Sequence, residues 1–176
     1  MNILFCSYPS RPSVGGIETV SALLADQFQR HGHTLVLATQ TAGPADSSEA
    51  FRVVRRPTAP EQLELVRWAD VVFHNNISLR FAWPLLIVRR PWVIAHHTWI
   101  AHTGTAGRMK RQLLRHASNI AVSRALADDL PVPCTIVPNA YADDVFRPLD
   151  GLPRAAELLF VGRLVSDKGV DLLLDA

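Results

Sequence analysis

The chain has 176 residues, of which 48% are hydrophobic and 19% charged, and its formal net charge is +2. This is an ordinary globular composition that excludes a disordered or collagenous chain, and so small a net charge gives no case for a general nucleic-acid binder. At this length one core can bury roughly 70% of the unfolded surface, which allows one domain with a little left over. Short β-rich runs alternate with helical patterns, so the expected class is α/β, built from right-handed βαβ units around a buried parallel sheet. Asn2 to Ser7 reads as the first strand, and Ile17, Val20, Leu24 and Phe28 then recur at helical spacing up to a His31-Gly32 stop. Thr34 to Ala38 is the second strand and Phe51 to Val54 the third, across a polar loop with Gly43, Pro44 and Asp46. Thr58 and Glu61 have capping-box spacing with Pro60 in the first turn, predicting a helix to Trp68, and Asp70 to His74 is the fourth strand. Leu79 to Val88 reads as a helix bent at Pro84, Trp92 to Ala95 as a fifth strand, and Ala106 to Ala117 as a helix. Asn119 to Val122 is the sixth strand, with Ser123 placed to cap the next helix, and Cys134 to Val137 is the seventh. Pro148, Asp150, Gly151 and Pro153 concentrate turn-formers as a linker does, and a new strand is expected at Glu157 to Val161.

In an open parallel sheet, ligands bind beyond the carboxyl ends of the strands, so the Pro9 to Gly16 connection is the first place to look. Gly15 and Gly16 there could let backbone approach a phosphate, through positive φ and the N–H groups of the helix that follows; a tight turn is the alternative reading. No GxGxxG or GxxxxGK[ST] is present, and the second strand ends in Thr39-Gln40 with no acid for a ribose hydroxyl, which weighs against a nicotinamide oxidoreductase. His96, His97 and Thr98 lie at the end of the fifth strand, where a cleft contact and an ordinary core or rim histidine are the alternatives, and His74, Asn75 and Asn76 at the end of the fourth, where acceptor contact or simple loop capping would serve. His102 adds a third nearby histidine, yet no closed ligand set emerges, and no metal is expected. Cys6 and Cys134 fit no metal or redox spacing and read as reduced thiols. Arg108, Arg111 and Arg115 cluster opposite Met109 and Leu113, a pattern for either a solvated face or a contact with anionic lipid.

The segment Glu157-Leu158-Leu159-Phe160-Val161-Gly162-Arg163-Leu164-Val165-Ser166-Asp167-Lys168-Gly169 closely resembles the opening of the nucleotide-sugar-binding domain of group 1, family 4 glycosyltransferases. The Pro12 to Glu18 glycine loop and the Val137-Pro138-Asn139 to Pro148 segment are similar to the same family's corresponding segments, in the same order. Ala140 and Ala142 depart from it, standing where the family usually has Gly and Asp.

The resemblance implies two Rossmann-like halves facing across a cleft, the GT-B architecture, and retaining transfer of a sugar from a nucleotide-sugar donor to a carbohydrate or lipid-linked acceptor without a metal. Residues 1–148 would be the acceptor-side domain, and 149–176 the linker and start of the donor-binding domain. It implies that Arg163 and Lys168 bind the donor diphosphate, with Gly15 and Gly16 closing over it, and that His97 lies near the transferred sugar, with His96 as the alternative in register. Val170, Leu172, Leu173 and Leu174 would have little to pack against, so the chain is expected to be a truncated form, inactive alone. A noncatalytic nucleotide-sugar-binding or regulatory module is the alternative. The longest wholly apolar run, Phe81 to Val88, is too short to cross a bilayer and the start lacks a secretory pattern, so a cytoplasmic location is expected, with peripheral contact at the inner membrane surface through Arg108, Arg111 and Arg115.

Overall fold

The computed structural model describes residues 1–43, 51–148, 151, 158–162 and 164–175. These form two compact units, Met1–Ala142 and Asp143–Ala176, described separately below. The first holds a seven-stranded parallel sheet flanked by helices, a Rossmann-like α/β fold, with strand order β3-β2-β1-β4-β5-β6-β7. In chain order the elements are β1 (Asn2–Ser7), α1 (Gly16–Arg30), β2 (Thr34–Thr39), β3 (Arg52–Arg55), α2 (Ala59–Trp68), β4 (Val71–Asn75), α3 (Leu79–Ala82), β5 (Trp92–His96), α4 (Gly104–Leu113), β6 (Ser118–Ala121), α5 (Arg124–Asp129) and β7 (Thr135–Ile136).

Strand β1 is apolar on both sides because both sides are covered. Leu4 and Cys6 face one core with Val36, Val72 and Ile94, closed by Leu65 and Val66 of α2, Phe81 of α3, and Leu114 and Leu130. Ile3 and Phe5 face the other, with Leu35, Leu37 and Phe73, closed by Ala25, Leu24 and Phe28 of α1. Phe5 stacks on Phe73 at 5.1 Å between centroids, and the Phe28 ring meets Phe73 edge-on.

The local signals act as the sequence suggests for α2. Its capping box is complete: the Thr58 backbone N–H donates to Glu61 Oε2 (2.8 Å) and the Glu61 N–H to Thr58 Oγ1 (3.5 Å). The backbone and hydroxyl donors of Thr58 hold the Glu61 carboxyl below its usual range. Pro84 divides the expected Leu79–Val88 helix into α3 and a 3₁₀ turn at Trp83–Leu86, and α4 likewise ends in a 3₁₀ turn at Leu114–His116. Ser123 Oγ accepts from the Leu126 N–H at 3.3 Å, capping α5.

In the second unit the expected strand does not form among the described residues. Leu158 to Val161 pair with no strand, and Leu158, Leu159 and Val161 are exposed. An apolar run becomes a strand only where another strand supplies a ladder. A 3₁₀ turn at Ser166–Lys168 leads through left-handed Gly169 (φ 69°) into the short helix α6 (Val170–Leu174), on which Leu172 and Leu174 are exposed.

Candidate functional site

From β1 the chain moves outward through β2 to β3, then returns to the other side of β1 as β4 and continues to β7. The order therefore reverses between β1 and β4, and the crevice beyond their carboxyl ends is where an open α/β sheet takes its ligand. Ser7 ends β1 there, Asn75 ends β4, His96 ends β5, and Gly16 begins α1.

These ends are joined by a buried chain of hydrogen bonds. Ser7 Oγ lies 2.9 Å from Ser21 Oγ of α1, and each hydroxyl also reaches a carbonyl, Ser7 that of Pro9 (2.7 Å) and Ser21 that of Ile17 (2.8 Å). Asn75 Nδ2 donates to Ser21 Oγ at 2.6 Å, and Asn75 Oδ1 stands 2.5 Å from His97 Nε2. Ser7, Ser21 and Asn75 are essentially inaccessible to solvent. Asn76 secures the other side of the histidine: its Oδ1 accepts the His97 backbone N–H (2.7 Å) and its own N–H donates to Ala95 O (2.8 Å). Asn76 adopts the left-handed conformation, φ 67°, which asparagine tolerates better than most residues. Burial pushes the His97 imidazole below its usual pKa; the Asn139 side chain nearby opposes this, although Nδ1 itself is enclosed and meets no hydrogen-bond partner. His97 and Asn139 stand at one end of an apolar groove of about 490 Å³, lined also by Leu24, Phe73, Val93 and Ile120.

The other two strand-end histidines lie inside the fold: His74 is not on the crevice, and His96 takes the core position that is its alternative reading. His96 points the opposite way from His97, with Nε2 2.9 Å from Asn119 Oδ1, and Asn119 Nδ2 donates to the Leu114 and Ala117 carbonyls. Burial lowers the pKa of His96, against the effect of Asn119. His74 is fully buried, edge-on to Trp92 at 5.2 Å, and burial pushes its pKa down to about 3. Strand alternation is the reason: adjacent residues at a strand end face opposite sides, so Asn75 and His97 reach the crevice side on which α1 packs while His74 and His96 enter the other core. Thr98 is exposed beside His97.

The glycine loop differs from expectation in its backbone. Gly15 is extended (φ 179°), and neither it nor Gly16 occupies the left-handed region. A Cβ on Gly16 would meet nothing within 4 Å, whereas one on Gly15 would meet Glu18 Oε2 at 2.6 Å. Glu18, in the first turn of α1, accepts from Ser13 Oγ at 2.8 Å, so a carboxylate already stands beside the helix start. The loop is tied to the neighbouring strand ends, since Thr39 Oγ1 donates to Tyr8 O (3.0 Å) and Arg55 to Arg11 O (2.8 Å).

Of the three arginines on α4 and its following turn, Arg111 is already committed. Its guanidinium donates to Asp129 Oδ2 (3.1 Å) and Asp129 O (2.7 Å), and His102 Nε2 lies 2.6 Å from Asp129 Oδ1. Burial works to raise the Asp129 carboxyl, but hydrogen bonds and charge from His102 and Arg111 outweigh it and hold the group below its usual range. Arg108 and Arg115 are exposed. In the second unit Lys168 is exposed on its 3₁₀ turn, and Arg163 lies outside the described residues. Cys6 and Cys134 are free thiols, and burial raises the pKa of both. No cluster of three metal-ligating side chains occurs among the described residues, and none of their helices is long and apolar enough to cross a membrane.

No family profile and no curated protein matches the chain by sequence. Solved structures do match. Sucrose-phosphate synthase from Thermosynechococcus elongatus is similar over 84% of this chain and 50% of its own, at 13% identity and a TM-score of 0.61. An alpha-glucosyltransferase, solved in complex with UDP and a 13-mer DNA containing a central A:G mismatch, is similar over 76% of this chain and 40% of its own, at 16% identity and a TM-score of 0.53. The chain thus spans half or less of the length of these enzymes, and at such identities the likeness establishes a shared fold: the Rossmann-like sheet described here is one that glycosyltransferases use.

Proposed function

We propose that this chain is the acceptor-side half of a GT-B glycosyltransferase, followed by the start of its donor-binding half, and that the whole enzyme moves a sugar from a nucleotide-sugar donor to a carbohydrate or lipid-linked acceptor with retention and without a metal. The observation that carries this reading is His97, held by Asn75 and Asn76 at the strand-order reversal of a sheet shared with known glycosyltransferases. The family resemblance of the Pro12–Glu18 and Glu157–Gly169 segments supports it.

In this reading His97 contacts a hydroxyl of the transferred sugar, and Asn75, Asn76 and Thr98 shape the adjoining wall. Departure of a nucleoside diphosphate leaves negative charge, for which Arg163 and Lys168 supply cations and the start of α1 at Gly15 and Gly16 supplies backbone N–H groups. In this reading the second unit opens a donor-binding half, and the 176-residue chain by itself binds donor poorly and transfers nothing. Peripheral lipid contact would fall to Arg108 and Arg115, because Arg111 serves Asp129. Release of nucleoside diphosphate from a panel of nucleotide sugars tests the proposal. No turnover is expected from the 176-residue chain. In a longer protein containing it, turnover is expected and should fall by roughly 10²-fold or more on His97→Ala. Unchanged kcat/KM in that variant would remove His97 from the site.

A further inference from the structure

We infer that Asn75 is a positioning residue that fixes the proton of His97 on Nε2 and so leaves Nδ1 as a hydrogen-bond acceptor. The inference follows from counting donors and acceptors along the buried chain. The Ile17 carbonyl can only accept, and it is met by both Ser21 Oγ (2.8 Å) and Asn75 Nδ2 (3.4 Å). Turning the Asn75 amide over would set its oxygen against that carbonyl, two acceptors face to face. With Nδ2 directed at Ile17 O and Ser21 Oγ, Asn75 Oδ1 faces the ring, and only a protonated Nε2 can satisfy it at 2.5 Å. A proton on Nδ1 instead would set two acceptors, Nε2 and Oδ1, against each other and leave a buried N–H without a partner in hydrogen-bond geometry.

A neutral imidazole whose free nitrogen accepts will select a hydroxyl or N–H donor and will not hold a phosphate oxygen or a carboxylate. A site arranged to accept from a hydroxyl also discriminates strongly against the analogue that lacks it. This deepens the sugar-hydroxyl role proposed for His97, but its test reads the ring in the ligand-free chain and is independent of sugar transfer.

The test is nitrogen-detected NMR of histidine tautomers on the isotopically labelled chain near neutral pH. His97 should show a protonated Nε2, an unprotonated Nδ1, and an Nε2–H signal protected from exchange with water. Asn75→Leu should abolish that protection while circular dichroism and the Phe28 and Phe73 methyl-neighbour signals report a folded core. If Asn75→Leu does not fold, the wild-type tautomer decides alone: a protonated Nε2 with an unprotonated Nδ1 supports the inference. A wild-type proton on Nδ1, directed at Asn139, would overturn the inference, as would equal protection of Nε2–H in folded Asn75→Leu.

Discussion

Gly107 of α4 packs directly on Ala101, so closely that a Cβ at Gly107 would overlap the Ala101 carbonyl oxygen. The obstacle is main chain and cannot rotate away. Gly107→Ala must therefore push α4 off the segment that follows β5, and the expected cost is about 1–3 kcal/mol, a typical penalty for overpacking. The midpoint of urea unfolding measures it; a variant as stable as wild type would show that the two segments do not meet this way.

Gly16 gives the opposite expectation. Its backbone is not left-handed and a Cβ there projects into open space, so Gly16→Ala should leave stability unchanged or raise it by about 0.4–1 kcal/mol through the unfolded chain. If the start of α1 meets donor phosphate as proposed, the same methyl group would stand in its approach in a longer, active protein. Thermal unfolding and nucleotide-sugar kinetics measured together separate a binding role from a turn role: wild-type kinetics in a fully folded variant would leave Gly16 as a turn residue.

His74 makes acid stability a readout of burial. Its folded pKa is about 3 against an ordinary 6.5, so between those values the unfolded chain binds more protons than the folded one. Stability contributed by keeping this ring neutral is present above pH 6.5 and is lost as pH falls, at up to about 1.4 kcal/mol per pH unit. His96 and His97 act in the same direction. His74→Leu should therefore gain on wild type steadily as pH drops from about 6.5 towards 4. Parallel stability curves for the two proteins would mean that the ring is protonated in the folded state.

Arg111 and its two neighbours should separate cleanly. Arg111→Ala removes two hydrogen bonds between α4 and the end of α5 at side chains that are 18% and 17% exposed, and should cost about 1–2 kcal/mol. Arg108→Ala and Arg115→Ala should change the unfolding midpoint little, since both side chains are exposed. If the three variants unfold alike, the Asp129 contact does not hold the helices together.

Much of this architecture was legible before the fold was known, because the relevant signals are local. Ile3 to Cys6 form an unbroken apolar run ending before Pro9, and Thr58 with Glu61 marks the start of α2 within one turn. What escaped the sequence depends on partners distant along the chain. Leu158 to Val161 have the composition of a strand, but composition cannot supply a neighbour. Arg111 looks like part of a basic face until α5 brings Asp129 to it. The site divides in the same manner. His97, Asn75 and Asn76 stand at strand ends that periodicity locates, whereas Ser7 and Ser21 are ordinary hydroxyls whose meeting depends on how α1 lies across β1. Which of two adjacent histidines faces the crevice turned on strand register, a one-residue distinction that inverts every side chain.

The seryl contact also constrains something other than chemistry. Apolar packing between a helix and a sheet is forgiving of small translations, since one aliphatic side chain can replace another against the same surface. Ser21 is not interchangeable in that way: sliding α1 by one residue along β1 would bring Val20 or Ala22 opposite Ser7 and strand the Asn75 amide in the interior. A single polar position can fix the alignment of packed helices on this principle. Here it gives α1 one seat on the sheet, and with that seat it fixes how far the helix start projects into the crevice.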